Sequence, residues 1–137
     1  MILCFGNADR GDDAAGVLVA RALQLPVCEP TAILELDPGA HVILVDTVVT
    51  GSVPGTIHRW DAGANPLPRE PFRCSTHALG LAEAIELARV LGRLPERVTI
   101  YGIEGARFEM GAEPLVEVAD AARELARILS ASCSDSV

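Results

Sequence analysis

Apolar runs alternate with helically spaced apolar positions along most of this chain. Residues 2–5 are wholly apolar, as in a strand buried on both faces. A polar, glycine-bearing loop follows over residues 6–11, and residues 13–24 predict a helix. There Val17, Ala20 and Leu23 recur at three-residue spacing, and Pro26 closes the element. Val27 and Cys28 fit a short strand, and residues 31–36 a brief helix ended by Asp37, Pro38 and Gly39. Residues 42–45 form the strongest strand signal, ending at Asp46 and extended by residues 47–49. Residues 56–60 alternate, with Ile57 and Arg59 on one face and His58 and Trp60 on the other, as an edge or hairpin strand does. Residues 61–73 hold three prolines and predict a surface loop. Thr76 is the expected N-cap of a helix reaching Leu91, in which Leu81, Ala84, Ile85 and Ala88 share a face. Residues 98–103 predict another strand, and 105–111 a loop. Pro114 is placed in the first turn of a last helix lined by Leu115, Val118, Ala122, Leu125 and Leu129. Residues 131–137 are expected to be a flexible tail. Such alternation predicts a single α/β domain: a three-layer α/β/α sandwich around a mostly parallel twisted sheet with one antiparallel edge strand.

The chain has 137 residues and is 50% hydrophobic, enough for one proper core. The net charge of −8 argues against nucleic acid or an anionic membrane surface as partner. All 11 basic residues are Arg, so chemistry that needs a lysine is excluded. No run approaches the ~20 apolar residues of a membrane helix, and no signal peptide is visible, so a cytoplasmic protein is expected. Cys4, Cys28, Cys74 and Cys133 form no CxxC pair; Cys4 and Cys28 read as small buried hydrophobes.

In open α/β sheets, ligands bind beyond the carboxyl ends of the strands. Three polar clusters fall at such ends. Asp12 and Asp13 follow the first strand; one acid there caps a helix, but two exceed what capping needs. Asp46 follows four apolar strand residues, where a charge requires solvent, a partner or a metal, although it could also cap the following turn. His77 sits at the expected helix start, where the helix dipole would hold the imidazole neutral, the form that binds metal or accepts a proton; a surface histidine is the plainer alternative. Asp13, Asp46 and His77 together make an incomplete oxygen and nitrogen shell suited to a borderline divalent ion. His41 and His58 read as ordinary surface side chains.

The run Gly6-Asn7-Ala8-Asp9-Arg10-Gly11-Asp12-Asp13, continued by Gly16-Val17, resembles the first signature of the nickel–iron hydrogenase maturation endopeptidases. Residues 42–48, with Pro54, Gly55 and Thr56, resemble the second. Ser75-Thr76-His77-Ala78-Leu79-Gly80-Leu81 resembles the third, and Tyr101-Gly102-Ile103-Glu104 the strand after it. The likeness spans nearly the whole chain in order. It implies an endopeptidase that removes the C-terminal extension of a hydrogenase large-subunit precursor after nickel insertion, completing active-site maturation. It implies that Asp13, Asp46 and His77 are both the catalytic and the metal-binding residues. The metal is nickel supplied by the precursor, with no organic cofactor. A monomer is expected. The ion would polarise the scissile carbonyl, or Asp13 or Asp46 would act as general base in an aspartic-type reaction; metal-directed positioning with carboxylate assistance is the favoured version. Asn7 and Glu29 are candidate contacts to the substrate chain, Glu29 standing where the family more often has Asp.

The main alternative is a non-catalytic nickel-binding accessory protein, which the same ligands would serve. A phosphoacceptor receiver domain has a similar outline but needs a lysine. A nucleotide or flavin binder lacks its GxGxxG, and the three Asp near Gly6 and Gly11 would repel phosphate. A hydrolase using Cys74 and His77 is a further rival.

Overall fold

The computed structural model describes residues 1–73 and 79–135, with side chains to residue 131. It is the expected α/β/α sandwich. Strands β1 (Ile2–Cys4), β2 (His41–Val48), β3 (Ile57–Asp61) and β4 (Arg97–Glu104) form one sheet in the order β1-β2-β4-β3. The first three neighbours in that order pair parallel, and β3 runs antiparallel along the edge. Helices α1 (Ala15–Leu23) and α3 (Val116–Asp135) cover one face, and α2 (Leu81–Val90) covers the other with the 3-10 turn Pro30–Glu35.

The period of two in β2 decides what each face buries. Val42 and Leu44 join Ile100, Ile85, Ile33 and Phe72 beneath α2. Val45 joins Cys4, Ile103, Val19, Leu125 and Leu129 beneath α1 and α3. Gly16 lets α1 lie directly on the sheet, since a Cβ there would stand 2.0 Å from the Phe5 carbonyl oxygen and 3.2 Å from that of Val45. No helix among the described residues is long and apolar enough to cross a membrane.

Several local expectations shift. Residues 27–28 add only an isolated parallel bridge, Val27 to Cys4, rather than a strand. Cys28 is partly buried rather than buried. The first helix is split: Gly11–Ala14 is a 3-10 turn, and regular α-helix begins at Ala15. The stretch 61–73 is not all surface, because Ala62, Leu67 and Phe72 point into the core and Glu70–Phe72 forms a 3-10 turn. Helix α2 starts at Leu81 with Gly80 as N-cap, not at Thr76. Thr76 and His77 themselves lie outside the described residues. Helix α3 starts two residues beyond Pro114 and runs to Asp135, so most of the expected tail is helical.

Candidate active site

Beyond β1 the chain turns sharply. Phe5 N–H still bonds the Val45 carbonyl at 2.9 Å, and Gly6 then adopts φ +149°. A Cβ on Gly6 would lie 2.3 Å from the Asp13 carbonyl oxygen, so glycine lets the loop close on itself. Asn7 N–H donates to that same carbonyl at 3.1 Å, and the Asn7 side-chain oxygen accepts from Asp9 N–H at 2.9 Å. The loop delivers Asp12 and Asp13 into the 3-10 turn, both buried.

The two acids then part company. Asp12 makes no side-chain cap bond to its own 3-10 turn or to α1. One of its carboxylate oxygens accepts from Ala106 N–H at 2.7 Å and Arg107 N–H at 2.9 Å, and the other accepts from Leu115 N–H at 2.7 Å. Its own N–H donates to the Arg107 carbonyl at 2.6 Å, and its carbonyl accepts from Thr47 Oγ1 at 3.0 Å. Asp12 is a structural latch between the first loop and the loop after β4.

Asp13 makes none of these contacts. It is 3% exposed, with the Arg10 guanidinium 3.9 Å away at the rim. Arg10 is itself held over the Phe108 ring. Asp46, on the α2 side of β2, is 7% exposed and accepts from Thr47 N–H at 2.8 Å. Burial pushes the Asp46 carboxyl up to about 8; the Thr47 N–H opposes this, and the negative charge of Asp13 adds to it. The structure thus brings Asp13 and Asp46 into one electrostatic site. Near neutral pH, burial and the neighbouring Asp13 favour the protonated form of the Asp46 carboxyl.

This raised value has a sign that can be tested in the metal-free protein. Between the unfolded value near 4 and the folded value near 8, the native state holds the extra proton. Stability from that proton is therefore full at acid pH and declines as pH rises through this window. The slope is at most about 1.4 kcal/mol per pH unit. Chemical denaturation at about pH 5 and pH 8 should show this loss, and Asp46→Asn should abolish it and be the more stable variant at the higher pH.

His77 and Cys74 lie outside the described residues, so the three-ligand set and the Cys74–His77 rival stand as sequence readings. Among the described residues no group of three His, Cys, Asp or Glu side chains is disposed to hold a metal. Asn7 and Glu29 are brought together: they line one groove of about 420 Å³ with Gly6, Val17, Arg21 and Val27. His41 is exposed, as expected. His58 is not an idle surface residue. Its Nε2 lies 2.9 Å from Glu104 Oε1, and its ring stacks on Trp60.

Glu104 is a feature the sequence reading missed. It is 1% exposed at the end of β4 and accepts from Thr50 N–H at 2.8 Å, Thr50 Oγ1 at 2.5 Å and Gly51 N–H at 3.2 Å. These donors hold its carboxyl below the ordinary range despite burial, and they tie the loop after β2 to the end of β4. The signal that singled out Asp46, a charge straight after an apolar strand, also applied to Glu104. Cys4 is a buried, inert thiol, pushed up to about 12 by burial and by nearby Cys28.

Comparison with known proteins converges on one family. The chain is 28% identical to the hydrogenase 2 maturation protease of Escherichia coli K12, over 85% of this chain and 80% of that protein. Its fold matches the hydrogenase maturating endopeptidase HybD from E. coli with a TM-score of 0.74, at 22% identity, covering 98% of this chain and 91% of that one. It also matches the [NiFe] hydrogenase maturation protease HycI from Thermococcus kodakarensis KOD1 with a TM-score of 0.68, at 26% identity, covering 93% and 87%. The HycI hydrogenase maturation protease family model matches residues 30–131, and the chain therefore belongs to the hydrogenase maturation protease family.

Proposed function

We propose that this protein is an endopeptidase that removes the C-terminal extension of a nickel-loaded hydrogenase large-subunit precursor. The observation that carries this reading is the pairing of two buried acids, Asp13 and Asp46, at the carboxyl end of the parallel strands, with Asp46 held protonated. A carboxyl kept neutral by burial and by a neighbouring carboxylate is a site poised for a cation. The nickel belongs to the substrate, and two carboxylates with the imidazole of His77 form a donor set that suits it. A precursor carrying the ion replaces the proton on Asp46, whereas a nickel-free precursor brings no charge to exchange. Nickel occupancy is read by that difference.

Asp13, Asp46 and His77 then fix the scissile peptide against the site. When bound, the ion supplies polarisation of the scissile carbonyl. A carboxylate oxygen of Asp13 or Asp46 would accept a proton of the attacking water and pass it to the departing amine as the C–N bond breaks. The protein acts on a soluble precursor in the cytoplasm and works as a monomer. The rival role, a nickel-binding accessory protein that does not cut, uses the same residues.

Incubation with nickel-loaded and nickel-free precursor decides between them. The loaded form should yield a shorter large subunit and the nickel-free form should remain intact. Binding of loaded precursor without shortening would establish the accessory role instead.

A further inference from the structure

The groove that Asn7 and Glu29 line also holds Arg21, a cation with no ion pair among the described residues. Among the described residues, Arg10, Arg73, Arg89, Arg123 and Arg127 each pair with an acid three positions away. Arg21 has Leu18, Val17, Gln24 and Leu25 at the positions three and four away, so its helix offers it no acid. It is exposed, and no ion pair forms at its guanidinium among the described residues. Glu29 lines the same groove, but the two do not form an ion pair.

The groove adjoins the loop that carries Asp13. Its floor is Gly6 and Val17, and Gly6 packs against the Asp13 carbonyl. Val17 and Arg21 are four apart and share a face of α1, so the groove runs along the helix to Arg21. Exposed Val27 supplies an apolar wall on the other side. Arg21 is eight residues past Asp13, two steps at the ~2.0 Å rise of the 3-10 turn and six at the ~1.5 Å rise of α1, about 13 Å in all. An extended peptide covers that distance in about three or four residues, at ~3.3 Å each.

We infer that Arg21 is a specificity-determining residue: it receives an acidic side chain of the precursor segment, three to five residues from the scissile bond, as that segment lies in the groove. This rests on the endopeptidase reading and adds a charge requirement to it. An exposed guanidinium with no ion pair among the described residues is a local positive charge on a chain of net charge −8, and it can receive a carboxylate.

The test uses the nickel-loaded precursor with the wild type, Arg21→Ala and Arg21→Glu. The variants should raise KM roughly tenfold or more, the charge reversal most, with kcat unchanged. Neutralising one Asp or Glu of the precursor in that window should raise KM equally for the wild type and not further for Arg21→Ala. Reversing that acid to Arg should restore part of the affinity of Arg21→Glu. Unchanged KM in both variants overturns the inference, as do additive effects or a dependence on the terminal carboxylate of the precursor instead. If the wild type binds the precursor without cutting it, proteolysis fails while Kd still decides Arg21 by the same pattern. A wild type that neither binds nor cuts overturns both.

Discussion

Asp46→Ala should leave the nickel-loaded precursor uncut, with processing slowed on the order of 10³-fold or more. The expectation follows from the environment of the side chain rather than from its presence in a motif. Asp46 is enclosed beneath α2, and burial together with Asp13 raises its carboxyl to about 8. Removing it deletes a carboxylate oxygen, a titratable proton and the electrostatic coupling to Asp13 in one step. Asp46→Asn separates these. The amide preserves volume and can still accept from Thr47 N–H, so the fold stays intact, but it cannot exchange a proton for a cation. Both variants should therefore fail in a gel assay of precursor length while their circular dichroism matches the wild type. His77→Ala should fail likewise. Full processing by any of the three would remove the assigned site.

How far such a site can be read in advance depends on the range of the interactions involved. The sheet was legible because parallel strands buried on both faces are continuous apolar runs, and residues 42–45 are such a run. Asp46 was legible by the same token, since a charge in that setting demands an explanation. The division of labour between Asp12 and Asp13 was not. Both are adjacent and acidic, and what distinguishes them is a set of backbone N–H groups at residues 106, 107 and 115, far along the chain. Helix limits misled where local signals competed. Thr76 offers a side-chain oxygen for capping, but the chain enters α2 through Gly80 in an extended conformation. The prolines of residues 61–73 signalled a loop correctly, yet Leu67 and Phe72 are core residues, because a loop that crosses an apolar face buries whatever large side chains it has. Arg21 was legible only by subtraction, as a helical cation with no acid within a turn.

Asp12→Ala should destabilise the protein by about 3–5 kcal/mol. Three backbone N–H groups converge on this carboxylate, and Asp12 itself is fully buried. Truncation strands all three donors where water cannot readily replace the lost acceptor, and an unsatisfied buried donor costs about 1–3 kcal/mol. For a chain of this size the melting temperature should fall by roughly 10 °C. Asp12→Asn should lose less, because the amide retains one acceptor oxygen while its NH2 faces a donor. Local readouts distinguish a latch from general loosening. Hydrogen exchange at Ala106, Arg107 and Leu115 should accelerate before exchange in the β2–β4 ladder does. Asp13→Ala should spare those three amides, because its neighbour makes all three contacts. If Asp12→Ala melts with the wild type, the loop after β4 is held by other contacts, and the two adjacent acids are not divided between structure and chemistry.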